Sequence, residues 1–347
     1  MAEGNFFNAP SRPDPAHLNA ARDSDGNTYL HELCARGAPP ELIREAVRLG
    51  ADINKTNKQK MPPLGVALQK GTPEMVALLL DLGAECCFPV GAKNSGEFFN
   101  AAHIAAAEGK RDKLDIVLAK GGARFLNQNA VEGDGTAHRW MPLHAALRRG
   151  HTEFIEPLVA AGAFVNEDAG FEKAAPLFVA VAANSAHAVG QLVERGANIE
   201  QRNVDSGNTP LIYACFHDKN FAADKLLRLG AEVNVANNDG KTPLMMAAAQ
   251  GNTRLITALV KAGANPNART LRGESALMFA IDKGNNDTVS ALLKGGADPL
   301  LTDAFNRTAS AYAESKSASY YLRQNLEEAE KTALLKGFER SYKKYRP

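Results

Sequence analysis

The chain has 347 residues, of which 45% are apolar, enough for a large buried core. Its 40 basic and 39 acidic residues leave a formal net charge of +1, a balance that removes any general argument for a nucleic-acid partner, which would call for a basic face. No run of about 18 apolar residues occurs, so nothing is expected to span a membrane, and the opening MAEGNFFNAPSRPDPAH lacks the basic start and apolar centre of a secretory signal.

Residues 1–22 read as a Pro-rich lead-in, in which Pro15 to Ala21 can form a short capping helix. From residue 23 one pattern recurs, and its clearest copy is Asp239 to Asn267. Asp239-Gly240 is a turn, Thr242 an N-cap, and Pro243 the first helical residue, where its missing N–H is not needed. Leu244, Ala247 and Ala248 line one face of a short helix that Gly251-Asn252 ends. Thr253 is expected to cap a second helix, with Leu255, Ile256, Leu259 and Val260 at helical spacing, before Gly263-Ala264 terminates it. Neither helix can bury its stripe alone, so each copy must pack on a neighbour.

The first helical position falls at Tyr29, Pro63, Ala101, Pro142, Pro176, Pro210, Pro243, Ala276 and Ala309. Second helices exit at Gly50-Ala51, Gly83-Ala84, Gly122-Ala123, Gly162-Ala163, Gly196-Ala197, Gly230-Ala231, Gly263-Ala264 and Gly296-Ala297. Eight full repeats and a degenerate ninth result. The spacing is 34 or 33 residues except for 38 between Pro63 and Ala101 and 41 between Ala101 and Pro142. Repeats two to four therefore carry enlarged connections, CCFPVGAKNSGEFFN and GGARFLNQNAVEGDGTAHRW, and insertions in a solenoid collect on one face. Pro157 is expected to kink its helix. Asn184 replaces a helix-breaking glycine and can adopt the same left-handed conformation. In residues 317–347, Leu322, Leu326, Ala329, Ala333, Phe338, Tyr342 and Tyr345 predict one long helix, weakened at Gly337, that caps the repeats of residues 23–316.

With Thr-Pro-Leu at Thr209 to Leu211 and Thr242 to Leu244, Pro-Leu-His at Pro142 to His144, and Gly-Ala exits throughout, the chain resembles the ankyrin repeat family over about residues 23 to 316. The resemblance implies an all-α solenoid of stacked helix-turn-helix units joined by hairpin-like loops. It also implies that His31, His103 and His144 hydrogen-bond backbone in the turns. It says little about function, because sites are grafted on folds.

No catalytic constellation is expected. Cys215, His217 and Asp218 have suitable chemistry, but the spacing sends Cys215 to the buried side of a short helix and the other two to its exit. Cys34 and Cys215 share one column where a small buried residue is wanted, and the four cysteines show neither disulfide nor zinc spacing, which fits a reducing, cytoplasmic setting. No phosphate loop or dinucleotide fingerprint occurs, so neither cofactor nor metal is expected. Cys86-Cys87 reads as a loop anchor. Tyr213, Met246, Phe279 and Tyr312 form a column read mainly as core. Asn234 resembles the hairpin asparagine modified in some ankyrin repeats, but asparagine simply suits that turn.

The family leaves variable the turn tips and the two residues before the helix-ending glycine. There the chain places Gln69 and Lys70, Arg148 and Arg149, Phe216 and His217, and Asp282 and Lys283, expected on the concave face. The insertions add Phe88, Phe98, Phe99, Phe125, Arg139 and Trp140, and the next hairpin adds Phe171. Exposed aromatics and arginines are the types that anchor interfaces. The expectation is a non-enzymatic module or adaptor, monomeric on its own, that binds another folded protein through these residues. The acidic-then-basic tail, with Lys336, Arg340, Lys343, Lys344 and Arg346, also resembles bacterial translocation signals, which gives a second reading: an effector delivered into a host cell. A site in the inserted loops is a third.

Overall fold

A computed structural model of the chain describes residues 15–89, 98–127, 140–169, 174–316 and 318–344. Contacts divide it into two compact units, Met1–Pro176 and Leu177–Pro347.

The first unit opens with a 3-10 turn, Pro15–His17, followed by the buried Leu18. Its helices are α1 (Tyr29–Arg36), α2 (Pro40–Arg48), α3 (Pro63–Lys70), α4 (Pro73–Asp81), α5 (Ala101–Ala107), α6 (Arg111–Ala119), α7 (Pro142–Arg149) and α8 (Ile155–Ala160). All four expected first positions open a helix, because the signals are local: proline with a preset φ at the first position, or a side-chain oxygen on the first free amides. Thr72, for example, accepts from the Met75 amide at 3.3 Å. First helices pack on first helices, α1 on α3, α3 on α5 and α5 on α7, and α4 packs on α6. Leu30, Leu33, Ile43, Leu64, Leu68, Leu79, Leu114 and Leu158 are wholly buried between them. Each contributes about 1.5–3 kcal/mol relative to exposure.

The insertions add the only described strands, an antiparallel pair β1 (Cys87–Pro89) and β2 (Phe98–Asn100), with Phe88 opposite Phe99, and a 3-10 helix at Gly122–Phe125. The left-handed residue at that exit is Gly121 (φ 102°), and at Gly122 a Cβ would meet Val117 at 2.4 Å. One expectation is corrected. Pro157 makes no kink. A 3-10 turn, Thr152–Phe154, precedes α8 and leaves Pro157 in the first turn of the new helix, where no amide is needed.

The second unit continues with α9 (Pro176–Ala182), α10 (Ala186–Glu194), α11 (Pro210–Phe216), α12 (Asn220–Arg228), α13 (Pro243–Gln250), α14 (Thr253–Lys261), α15 (Ala276–Lys283), α16 (Asn286–Lys294), α17 (Ala309–Ser315) and α18 (Tyr320–Lys344). The five remaining first positions again coincide with helix starts. Asn184 breaks its helix at φ 54°, as expected. The cap of α14 is Asn252, which accepts from the Leu255 amide at 3.0 Å, so Thr253 moves to the first helical position. First helices stack from α11 to α17 and second helices from α10 to α16. The start of α18 closes the stack, with Leu322 and Leu326 wholly buried and Glu330 accepting from the Ser310 amide at 2.9 Å. The helix runs through Gly337 unbroken, since one glycine costs only about 1 kcal/mol against the bonds of a long helix. The side chains of Phe338 and Tyr342 and the whole of Tyr345 lie outside the described residues. No described helix is long and apolar enough to cross a membrane.

Candidate functional site

Successive repeats are tied together by polar side chains, which decides how fixed any surface on them is. At four of the second-helix exits an asparagine of the preceding segment bonds both ways to the next copy. Asn19 donates to Gly50 O (3.0 Å) and accepts from Asp52 N (2.7 Å), and Asn127 does the same with Gly162 and Phe164. In the second unit Asn234 bridges to Gly263 and Asn265, and Asn267 to Gly296 and Asp298. Asn234 thus has a structural task at both ends of its carboxamide. The hairpin tips of that unit are joined by main chain: Asn238 N to Ser206 O, Leu271 N to Asp239 O and Ala304 N to Arg272 O, at 3.0–3.2 Å. Gly240 permits this approach, because at φ 79° it sits where side chains are strained and a Cβ there would lie 2.9 Å from Leu271 N.

The three tetrapeptide histidines are buried and bond to backbone of the following repeat. His31 Nε2 donates to Met61 O at 2.9 Å, while its Nδ1 accepts from the Thr28 amide at 3.1 Å. His144 Nε2 donates to Ala174 O at 3.0 Å, but Met141 stands where a threonine would serve Nδ1, which is buried without a hydrogen bond to the described residues. His103 takes the other tautomer: Nδ1 donates to Trp140 O at 3.0 Å and Nε2 is the buried, unbonded atom. Burial depresses both His103 and His144 to about 4, so both are neutral at pH 7.

Trp140 belongs to this layer and is only 5% exposed. Its ring lies 5.7 Å from that of His144, and the Arg148 guanidinium sits 4.8 Å above it. The expectation of an exposed Trp140 is therefore corrected: the insertion ends by folding this residue into the repeat, and its exposed outer neighbour is Arg148. Arg148 and Arg149 are both exposed at the end of α7, where positive charge also complements the helix dipole. Lys70 is exposed, and Gln69 and Phe125 are half-buried. The side chains of Phe88, Phe98 and Phe99, and the whole of Arg139 and Phe171, lie outside the described residues. Lys113 was not anticipated: though buried, its ammonium donates to Ala67 O (3.0 Å) and Leu68 O (2.7 Å) and so caps the carbonyl end of α3.

In the second unit Phe216 is 43% exposed and His217 is exposed, their rings 4.8 Å apart, and Tyr213 lies 4.3 Å from His217. The large-residue column divides: Met246 and Tyr312 are buried, whereas Tyr213 and Phe279 are half-buried. Tyr312 donates to Asp282 Oδ2 at 2.8 Å, and Lys316 pairs with the same carboxylate at 3.0 Å. Asp282 is accordingly engaged, and Lys283 is exposed beside it. Apolar residues at the hairpin tips were missed, namely Val204, Leu271 and Phe305, which are 66%, 81% and 78% exposed. Their signal was positional, an apolar residue in a tip column filled elsewhere by Asn238 or Asp239.

The thiols are poorly suited to nucleophilic chemistry. Burial pushes Cys34 up to about 12 and Cys87 up to about 11, and it raises Cys215 as well, so the thiolate is disfavoured at each. Among the described residues no group of His, Cys, Asp or Glu could hold a metal ion.

The chain is similar to known proteins along most of its repeats. A family profile described as ankyrin repeats in three copies matches residues 143–237 and 219–303, and one for ankyrin repeats in many copies matches residues 30–80. The E3 ubiquitin-protein ligase KEG of Arabidopsis thaliana is 27% identical over 64% of this chain, and the ankyrin repeat protein nuc-2 of Neurospora crassa is 27% identical over 69% of it. The B-cell lymphoma 3 protein homolog of Mus musculus is 28% identical over 62%. The chain spans 18%, 22% and 46% of the lengths of these relatives, so the likeness is confined to part of each. Among solved structures, the ankyrin repeat domain of Bcl-3 matches with a TM-score of 0.57 and 26% identity, over 65% of this chain and 97% of that one. With the helix starts, glycine exits and buried histidines at matching places in successive repeats, the chain belongs to the ankyrin repeat family.

Proposed function

We propose that the protein is a non-catalytic interaction module that binds a folded protein partner through the exits of its first helices and its hairpin loops. The observation that carries this is the pair Arg148 and Arg149, exposed at the end of α7, with Arg148 held over the buried Trp140 ring. Arginine on an aromatic shelf is a common interface anchor, and a guanidinium already positioned loses little entropy on binding. The ties between repeats act in the same sense. A standard interface of about 1,200–2,000 Å² would engage several exits at once.

The test is a pull-down from the native source followed by titration of the captured protein. Arg148→Ala with Arg149→Ala should weaken binding by about 1–4 kcal/mol, while thermal melting stays within about 0.5 kcal/mol of wild type. A partner bound equally well by the variant moves the surface elsewhere. A variant that unfolds makes these arginines structural.

A further inference from the structure

In the second unit a cavity of about 330 Å3 opens between two hairpin tips and α15, with Phe279 and Leu271 as its apolar lining. We propose that this cavity is a peptide-docking pocket: it takes one large aliphatic or aromatic side chain from an extended segment of the partner, and a carboxylate next to that side chain pairs with Arg272. The proposal rests on the reading of the protein as a binding module and places one contact of that partner.

The size fits. Pockets for small molecules run from about 300 to 1,000 Å3, so this one lies at the end suited to a single side chain. Its edge is preset, although Leu271 is 81% exposed. The Leu271 amide donates to Asp239 O at 3.2 Å. Behind it Arg269 reaches across the hairpin to Gly273 O at 3.1 Å and onward to Thr302 O. An apolar side chain held in water by a fixed main chain gains by being covered and gives up little freedom when it is.

Charge selects the occupant. On one wall Lys241 and Asp239 neutralise each other at 3.2 Å. On the other, the half-buried Glu274 accepts from the Thr270 hydroxyl at 3.2 Å. Arg272 is exposed, and its guanidinium makes no hydrogen bond or ion pair with the described residues. Of the two cations in this lining it is the one without an ion pair to a described residue, and a carboxylate is its bidentate complement. An acidic residue beside an apolar one satisfies both features at once.

The experiment pans a phage-displayed library of random twelve-residue peptides on the full chain and titrates resynthesised, fluorescein-labelled hits by anisotropy. Wild type is expected to enrich peptides with Leu, Ile, Met or Phe next to Asp or Glu. Leu271→Asp and Arg272→Glu should each weaken those peptides by about tenfold or more, with melting unchanged because both side chains are exposed. Panning on Arg272→Glu should shift the neighbour to Lys or Arg. The proposal is overturned by an absence of enriched peptides, by hits with basic neighbours on wild type, or by hits that bind Leu271→Asp undiminished. A parallel pull-down separates the two readings. A native partner retained by Leu271→Asp and Arg272→Glu but lost from the Arg148 and Arg149 double variant removes this pocket and keeps the module, and native partners captured equally by all of these variants remove both.

Discussion

Lowering the pH from about 7 to about 4 is expected to destabilise the first unit by about 3 kcal/mol for each of His103 and His144. In the fold both imidazoles have their pKa depressed to about 4, first because they are buried. For His103 the Trp140 carbonyl works in the opposite direction, and Arg149 and Arg148 add to the depression. For His144 the Ala174 and Glu167 carbonyls oppose burial, and His103 adds to it. In the unfolded chain each binds its proton near the ordinary imidazole value of 6.5. Between about 6.5 and 4 the unfolded state therefore holds more protons, so stability is complete above this window and falls as pH falls through it. His31 is depressed in the same sense by burial. Urea melts at about pH 7.5 and 4.5 read the effect, and the variant His103→Gln with His144→Gln separates it from the carboxylates, which also titrate in acid. The wild type should lose several kcal/mol more than the variant over this range. Equal losses would show that these imidazoles are not held neutral by the fold.

Trp140→Ala is expected to lose about 3–5 kcal/mol of stability, the cost of emptying a large buried site. The ring fills the space against His144 and carries Arg148 on its outer face. Its Nε1 is buried with no hydrogen-bond partner among the described residues, so Trp140→Phe removes volume without breaking a bond to them. That variant should lose under about 1.5 kcal/mol. Denaturant midpoints for the two decide the matter, and an alanine variant within about 0.5 kcal/mol of wild type would mean that the ring is not part of the core. Binding should fall in the alanine variant too, through Arg148, and this must be read only under conditions where it remains folded.

The fold was readable wherever its determinants are close in sequence. Pro63, Pro142, Pro210 and Pro243 start helices because φ is preset at that residue, and Gly150 and Gly251 end them at φ 81° and 75° for a reason equally local. Local signals also explain the errors. Asn252 and Thr253 are both good caps, and only the geometry of the preceding turn decides between them. Pro157 gives the same signal for a kink as for a new start. The candidate surface was less readable because burial at a given residue depends on other repeats. Trp140 sits in an inserted stretch rich in polar residues, yet His103, 37 residues earlier, takes its carbonyl, and His144 takes its ring face. Leu271 and Phe305 err in the opposite direction: they look like core residues, and the main-chain ladder between tips holds them in solvent. Arg148 and Arg149 are exposed at a helix exit, since the position within the repeat fixes their exposure.

Hydrogen–deuterium exchange of the protein alone and saturated with the partner captured from its source tests the proposed binding surface most directly. Slowed exchange is expected at the exits of α3, α7, α11 and α15 and in the hairpins, with little change along the second helices α4, α12 and α14. Protection confined to those second helices, or to α18, would contradict it and place the partner on the opposite side of each repeat.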